Sequence, residues 1–313
     1  MGRKYAITVC LFISLGLLQP WLADKAFAAD GPGSTGAGYL ILPVGPKSIA
    51  MGEVKAALVD DSFNWLSNPG ALQYMNGTGV GVLHSEWLVD TRYNNVAAHH
   101  RFSDKFILSG AFTYEYYPEI QGYDEFGMPT KTLTNNNYQA FLGFGFSPSQ
   151  SFTAGINVKY FREKLDEWSA GGMAVDIGAL YTITPGNISL GFAVQNLGPD
   201  IKFNELSEPL PTLIRVGGGQ VISITEGIFD LAYAVDLVKP KYESIYLSLG
   251  AELQFYETLQ VRAGYCGQEY RQGDGLTLGG GVRIQERLQV DYAWTPYGDL
   301  GNYHRIAVYF TAN

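Results

Sequence analysis

Residues 242–255 read YESIYLSLGAELQF, and their alternation decides the fold. Ile245, Leu247, Leu249, Ala251, Leu253 and Phe255 fall on one face, and Tyr246, Ser248, Gly250, Glu252 and Gln254 on the other. A period of two over that length is a strand with one apolar and one polar side. Residues 287–295 repeat it, with Leu288, Val290, Tyr292 and Trp294 opposite Gln289, Asp291, Ala293 and Thr295. The same dyad runs through 172–183, 187–196, 275–284 and 303–311. Tight turns and longer links alternate between these segments, which is the rhythm of an up-and-down transmembrane barrel.

Working outward, the spacing predicts fourteen strands: 78–88, 91–100, 105–116, 138–147, 151–162, 172–183, 187–196, 212–223, 227–237, 242–255, 259–267, 275–284, 287–296 and 303–311. With both termini at the periplasmic side, links after even strands should be tight and those after odd strands longer. The even links FSDK, SPSQ, TPGN, TEG, YET and QER obey this, as do the odd links at 117–137, 196–211, 267–275 and 297–302. Three odd links, near 89–90, 166–170 and 239–241, are short. Trp87, Tyr114, Tyr116, Tyr160, Phe255, Tyr265, Trp294 and Phe310 gather near strand ends, where interfacial girdles sit. A soluble sandwich would share the alternation but not fourteen strands in one register of short and long links. The expected fold is therefore all-β: a 14-stranded antiparallel transmembrane β-barrel with an N-terminal plug segment containing short helices.

The chain opens with Arg3 and Lys4, an apolar run over 6–18, Pro20, and Ala26-Phe27-Ala28, the pattern of a secretory signal peptide cleaved after residue 28. Residues 1–28 carry three Lys/Arg and one Asp, so their loss takes the net charge from -9 to -11. So acidic a chain argues against nucleic acid as a partner. Of the two cysteines, Cys10 leaves with the signal, and Cys266 is left as a buried thiol on an inner strand face. No later apolar run approaches the roughly 20 residues of a membrane helix, so strands must carry the chain across a bilayer, placing it in the outer membrane in contact with lipid.

Residues 29–77 do not alternate and read as the plug, and 78–313 as the barrel. The 48–58 stretch is expected to be helical, with Ser62 capping a turn through Trp65. Asp60, Asp61, Asn68 and Pro69 either bind a cation or position a substrate, or cap short turns by Asx hydrogen bonds. On the inner strand faces stand Lys159, Arg262, Arg283 and Arg305 with Asp176, Asp230, Asp236, Glu252 and Asp291. Such mixed charges pair with each other or with a plug, or line a water path. Gly143, Gly145, Gly155, Gly191, Gly250, Gly279 and Gly281 leave room for an inserted segment or relieve curvature. Phe141 and Phe161 offer aromatic lumen surface. Neither a catalytic set nor a cofactor or metal motif emerges: His84-Ser85-Glu86 lacks the following Cys pair of a zinc deaminase, and His99 and His100 point to opposite faces. The chain is expected not to be an enzyme.

The segment LPVGPKSIAMGEVKAALVDDSFNWLSNPGAL (42–72), followed by HSEWLVDTRYNNVA (84–97), resembles the opening of the PorV/PorQ family, within the wider FadL-like group of outer-membrane barrels. The resemblance rests on Leu42-Pro43 with Gly45, the step Ala50-Met51-Gly52, the pair Asp60-Asp61, the run Asn68-Pro69-Gly70-Ala71-Leu72, and His84, Trp87 and Tyr93. Many relatives read Asn-Pro-Ala-Gly where this chain has Asn-Pro-Gly-Ala. For PorV the resemblance implies a role in type IX secretion, receiving cargo proteins by their C-terminal domains and passing them to an attachment complex. The loops 117–137 and 196–211 would then bind protein. For FadL it implies passive transport of long-chain fatty acids or other hydrophobic molecules past a movable plug, with Met51, Gly52, Asp60, Asp61, Asn68, Pro69 and Gly70 as structural or gating candidates.

Overall fold

The computed structural model describes residues 33–312 apart from 59–60, 185–187, 204–205, 269–272 and 286. The expected signal segment and Asp60 lie outside the described residues. The strands are β1 (Thr78–Glu86), β2 (Arg92–Arg101), β3 (Phe106–Tyr116), β4 (Ile120–Tyr123), β5 (Pro129–Leu133), β6 (Asn135–Ser149), β7 (Phe152–Leu165), β8 (Trp168–Thr184) and β9 (Ile188–Leu197). They continue with β10 (Ile201–Phe203), β11 (Leu206–Glu208), β12 (Leu213–Thr225), β13 (Phe229–Pro240), β14 (Tyr246–Phe255), β15 (Leu259–Cys266), β16 (Leu276–Ile284), β17 (Leu288–Pro296) and β18 (Asn302–Ala312).

Fourteen of these close into one antiparallel barrel, ordered β1-β18-β17-β16-β15-β14-β13-β12-β9-β8-β7-β6-β3-β2, with β2 paired back to β1. They are the fourteen strands read from the alternation, shifted by no more than four residues at any end. Closure leaves no unpaired edge, which is what a sheet needs to sit in hydrocarbon. Val80, Val82, Val96, Phe112, Leu142 and Phe144 point outward into an apolar belt, while the intervening Leu83, Tyr93, Ala97 and Ile107 are buried inside. Tyr114, Tyr116, Tyr160, Tyr265 and Phe310 are exposed near strand ends. Trp87 departs from the expected girdle, because it turns inward to pack 4.5 Å from Tyr303.

The links sort by end. Two long ones carry hairpins of their own, β4–β5 and β10–β11, which the alternation alone did not resolve. The Asp166-Glu167 link is short because β7 and β8, at 14 and 17 residues, extend to meet it.

The N-terminal segment threads the lumen. Gly36 N–H donates to Pro209 O (3.1 Å), and Ala37, Tyr39 and Leu40 pack with Phe161, Ile201 and Leu210, all at the long-loop end. The segment then descends and leaves at the short-turn end, where Tyr74 Oη lies 2.7 Å from Thr182 Oγ1. Residue 312 ends on the short-turn side as expected; residue 33 sits at the opposite end, because this apolar cluster anchors it there.

The helix expected over 48–58 is instead Pro46–Ala50. Pro46 opens it, and Gly52 at φ +72° closes it: Glu53 N–H reaches Ser48 O (2.8 Å) and Gly52 N–H reaches Ile49 O (3.1 Å). That pair is a Schellman stop, and the left-handed conformation it requires suits glycine. The turn at 61–65 is capped by Asp61 rather than by Ser62: Asp61 Oδ1 accepts from Phe63 N–H (2.9 Å). Asn68 Oδ1 accepts from Gly70 N–H (2.9 Å) to cap the 3₁₀ turn Pro69–Tyr74.

The plugged lumen as a candidate functional site

At four of the closest approaches of the plug backbone to the wall, the wall residue is glycine. A Cβ at Gly191 would stand 1.8 Å from Ala56 O, one at Gly264 2.0 Å from Gly52 N, one at Gly250 2.2 Å from Met51 O, and one at Gly155 2.5 Å from Pro69 O. No side chain fits in such gaps, so these glycines act as seats for the inserted chain. The seats join across the sheet by register, Gly155 with Gly178, Gly191 with Gly217, and Gly250 with Gly264. Gly52 is itself a seat from the plug side, since a Cβ there would meet Leu249 O at 2.2 Å.

Charges hold the first half of the plug. Lys47 Nζ donates to Glu252 Oε1 (3.0 Å); Glu252 Oε2 takes Arg262 Nε (2.5 Å); Arg262 Nη1 reaches Asp291 Oδ1 (2.5 Å). Gln289 Nε2 donates to Asp291 Oδ1 (2.8 Å), and Arg283 Nε donates to Gln289 Oε1 (3.1 Å). One relay therefore runs from the plug across β14, β15, β17 and β16. Asp236 Oδ2 accepts from the backbone N–H of Lys55 (2.6 Å) and Ala56 (2.9 Å) and from Arg215 Nη1 (3.0 Å). Burial, with Arg215 as the next cause, pushes Lys55 down to about 8. Arg305 donates to the carbonyls of Pro43 and Val44 and lies over the ring of Tyr93 at 4.5 Å. Buried charges are costly unless paired or hydrogen-bonded; Lys47, Arg262 and Arg215 meet carboxylates, and Arg305 meets carbonyls and aromatic rings.

Apolar packing holds the second half. Phe63, Trp65, Leu66, Leu72 and Met75 form one core with Leu83, Tyr93, Ile107, Phe141 and Tyr309 of the wall. Trp65 O accepts from Asn157 Nδ2 (2.8 Å), and Asn68 Nδ2 donates to Ala56 O (2.5 Å), tying the halves together.

The residues singled out from sequence thus fall into separate groups. Glu252, Arg262, Asp291 and Arg283 share the relay, and Asp236 holds the plug backbone. Lys159 and Asp176 pair with each other (2.8 Å), with Asn196 Oδ1 2.7 Å from Lys159 Nζ, so they fasten β7, β8 and β9 rather than the plug. Asp230 lies apart, lining the cavity at the short-turn end. Met51, Gly52, Asn68, Pro69 and Gly70 contact the wall directly. Asp61 is buried beside the short-turn cavity, where burial pushes its carboxyl up to about 6. Sequence reading missed Arg215, although the inward set Leu213, Arg215 and Gly217 in LIRVG carries the same dyad. It missed Lys47 and Lys55 too, since nothing local marks a plug lysine as buried.

Cavities lie at both ends of the plug. At the short-turn end about 500 Å³ is lined by polar groups including Asp61, His99, Asp230, Gln254, Arg283 and Gln289. At the long-loop end about 160 Å³ is lined by Leu42, Trp87, Leu88, Val89, Tyr93 and Tyr117, with Thr91 and Glu115. His99 faces inward, 2.6 Å from Tyr309 Oη, while His100 faces outward beside Thr78. Cys266 is buried with Leu213, Val238 and Tyr246.

No family model matches the chain, and no curated protein matches it. Solved structures do. The toluene transporter TbuX of Ralstonia pickettii superposes with a TM-score of 0.61 at 14% identity, over 86% of this chain and 98% of that one. The toluene transporter TodX of Pseudomonas putida gives 0.60 at 13%, over 85% and 96%. A FadL homologue of Pseudomonas aeruginosa gives 0.52 at 9%, over 86% and 98%. At such identities the likeness establishes the fold: a closed barrel of the kind seen in FadL-like outer-membrane proteins.

Proposed function

We propose that this chain is an outer-membrane barrel that lets small hydrophobic molecules pass, with the N-terminal segment as a displaceable plug. The observation that carries it is the threaded lumen: one segment runs from the long-loop end to the short-turn end, with a cavity above and a cavity below. An apolar outer belt on a closed barrel suits a bilayer, and the plug seals it against free diffusion. The toluene transporters sharing the fold favour this reading over the secretion role that the PorV/PorQ resemblance implies. The chain's own geometry adds that the plug's first half rests on buried ion pairs, which water can replace, beside two small apolar clusters.

The test tethers the plug. Lys47→Cys with Glu252→Cys, in a Cys266→Ala background and joined by a reducible bis-methanethiosulfonate linker, ties the plug to the wall where Lys47 Nζ lies 3.0 Å from Glu252 Oε1. Uptake of a radiolabelled hydrophobic solute by cells carrying the linked pair should fall to background and return on reduction. Uptake indifferent to the tether would sink the movable plug.

A second reading, docking of a protein at the cell surface, draws on one observation. The β4–β5 hairpin leaves Ile120, Tyr123, Phe126 and Met128 exposed, a concentration of apolar side chains that marks interaction sites. Deleting residues 119–133 should then abolish capture of secreted cargo while leaving uptake intact.

A further inference from the structure

The lipid-facing side of the barrel carries its charges at one end. On β7 the outward positions run Phe152, Ala154, Ile156, Val158 and Tyr160, then Arg162 and Lys164. From Phe152 to Tyr160 the strand rises about 26 Å along its axis, or roughly 20 Å along the membrane normal at a tilt of about 40°. The apolar band of such a barrel is about 25 Å tall, so Arg162 and Lys164 stand at its long-loop edge, level with lipid headgroups. Register sets them in cross-strand rows. The upper row is Arg92, Tyr116, Asn136, Lys164 and Ser169; the lower is Asn94, Tyr114, Tyr138, Arg162 and Gly171. Lys239 of β13 also faces outward at this end, opposite Ile214. Toward the short-turn end the outward positions are residues such as Phe106, Phe146, Phe152, Leu259 and Phe310. Among the described residues no outward strand position at that end is Lys or Arg.

Nearby carboxylates do not neutralise the pair. Glu86 is the acidic residue on the same face, and it pairs with Arg92 (3.6 Å). Asp166 and Glu167 in the link above are taken by Lys131 (2.5 and 3.0 Å). Arg162 Nη2 donates to Ser169 Oγ (3.0 Å), and among the described residues neither Arg162 nor Lys164 forms an ion pair. Gly171, opposite Arg162, adds no side chain beside the guanidinium. A chain of net charge -9 thus concentrates open positive charge on its lipid-facing side at one end.

We propose that Arg162 and Lys164, with Tyr138, Asn136 and Ser169 beside them, bind the phosphate groups of an outer-leaflet lipid whose acyl chains lie along Tyr160, Val158 and Ile156. Phosphate is the headgroup chemistry that fits. It is anionic and offers several acceptor oxygens to a guanidinium, an ammonium and neighbouring hydroxyl and amide donors. A zwitterionic headgroup would bring its own ammonium against both cations. Position selects a lipid over a soluble anion, because the patch opens sideways above the apolar belt and not into the lumen. Longer loops mark the cell-surface end, so the leaflet is the outer one. This patch depends on the barrel lying in an outer membrane, not on what crosses its lumen.

Native mass spectrometry of the purified full-length protein in detergent, titrated with bisphosphorylated lipid A and with its dephosphorylated form, tests this. Two basic residues at a membrane surface predict the phosphorylated lipid tighter by about thirtyfold. Arg162→Gln with Lys164→Gln should bring that ratio below about threefold. A second measurement needs no variant: acetylation of lysines in phosphatidylcholine nanodiscs, followed by peptide mass spectrometry. Bisphosphorylated lipid A in the disc should slow acetylation of Lys164 several-fold and leave the loop residue Lys131 unchanged. Equal affinity for the two lipids, a ratio untouched by the double variant, Lys164 protected no more than Lys131, or protection by inorganic phosphate alone would each overturn the lipid assignment.

Discussion

The two halves of the plug, residues 43–58 and 63–75, occupy one lumen and are held by different physics. The first half meets the β12–β18 wall through buried charges, the Lys47–Glu252–Arg262–Asp291 relay, the Asp236 clamp and the Arg305 donor, added to two small apolar clusters around Ile49 and Met51. The second half joins an apolar core with β1, β2, β3, β6 and β18. Burial of apolar side chains stabilises at roughly 25 cal/mol per Å² and has no substitute once the surface is wetted. Buried ion pairs contribute little net stability over hydrated partners, though losing one partner alone is costly. The second half thus has the larger apolar core and the first half the buried charges. On the proposed function the first half is the part that moves.

The largest effect should come from the second half. Trp65→Ala empties a fully buried indole site and should cost about 3–5 kcal/mol, seen as a lower midpoint of heat-modified gel migration. If it cost nothing, the apolar core would not be what holds that half. Next is the first half. Glu252→Ala leaves Lys47 and Arg262 buried without their shared carboxylate, for a loss of about 3 kcal/mol. The damage should be local, with trypsin newly cutting after Lys47 and Lys55 while the barrel stays folded; a barrel that unfolds as a whole would erase the distinction between the halves.

Asp61 sits at the junction and sharpens the comparison through pH. Burial raises its carboxyl to about 6, above the value near 4 of an unfolded chain. The folded state therefore binds more protons between about pH 4 and 6, so stability is greatest below that window, falls as pH rises through it, and is flat above. Asp61→Asn should abolish that slope and leave the plug about 2–3 kcal/mol more resistant to protease at pH 7 than wild type. An unchanged slope would place the titration elsewhere. The smallest effect belongs outside the plug. Lys131→Ala removes an exposed pairing with Asp166 and Glu167 and should change neither migration nor cleavage measurably.

How much of this was legible from residues alone varied with the kind of signal. Strand positions were legible because alternation is a local consequence of the pleat, repeated over ten or more residues at a time. The inward placement of Glu252, Asp236 and Arg305 followed from the same parity. The helix ends at Ala50 rather than 58 because Gly52 stops it; that left-handed stop and its seat against Leu249 are visible only with the wall in place. Ser62 and Asp61 were both legible as caps, because both types cap turns, and only packing selects Asp61. The plug's direction through the barrel had no local signature at all.

What the sequence by itself determined was the barrel: fourteen strands, their faces and the short-and-long order of their links, all set by hydrophobic period and turn residues within a few positions of each strand. Tertiary structure decided which charges pair across a lumen and which glycines are seats. Those are contacts between residues as much as 262 positions apart. They depend on how a curved sheet closes around an aperiodic segment, and no pattern along the chain encodes that distance.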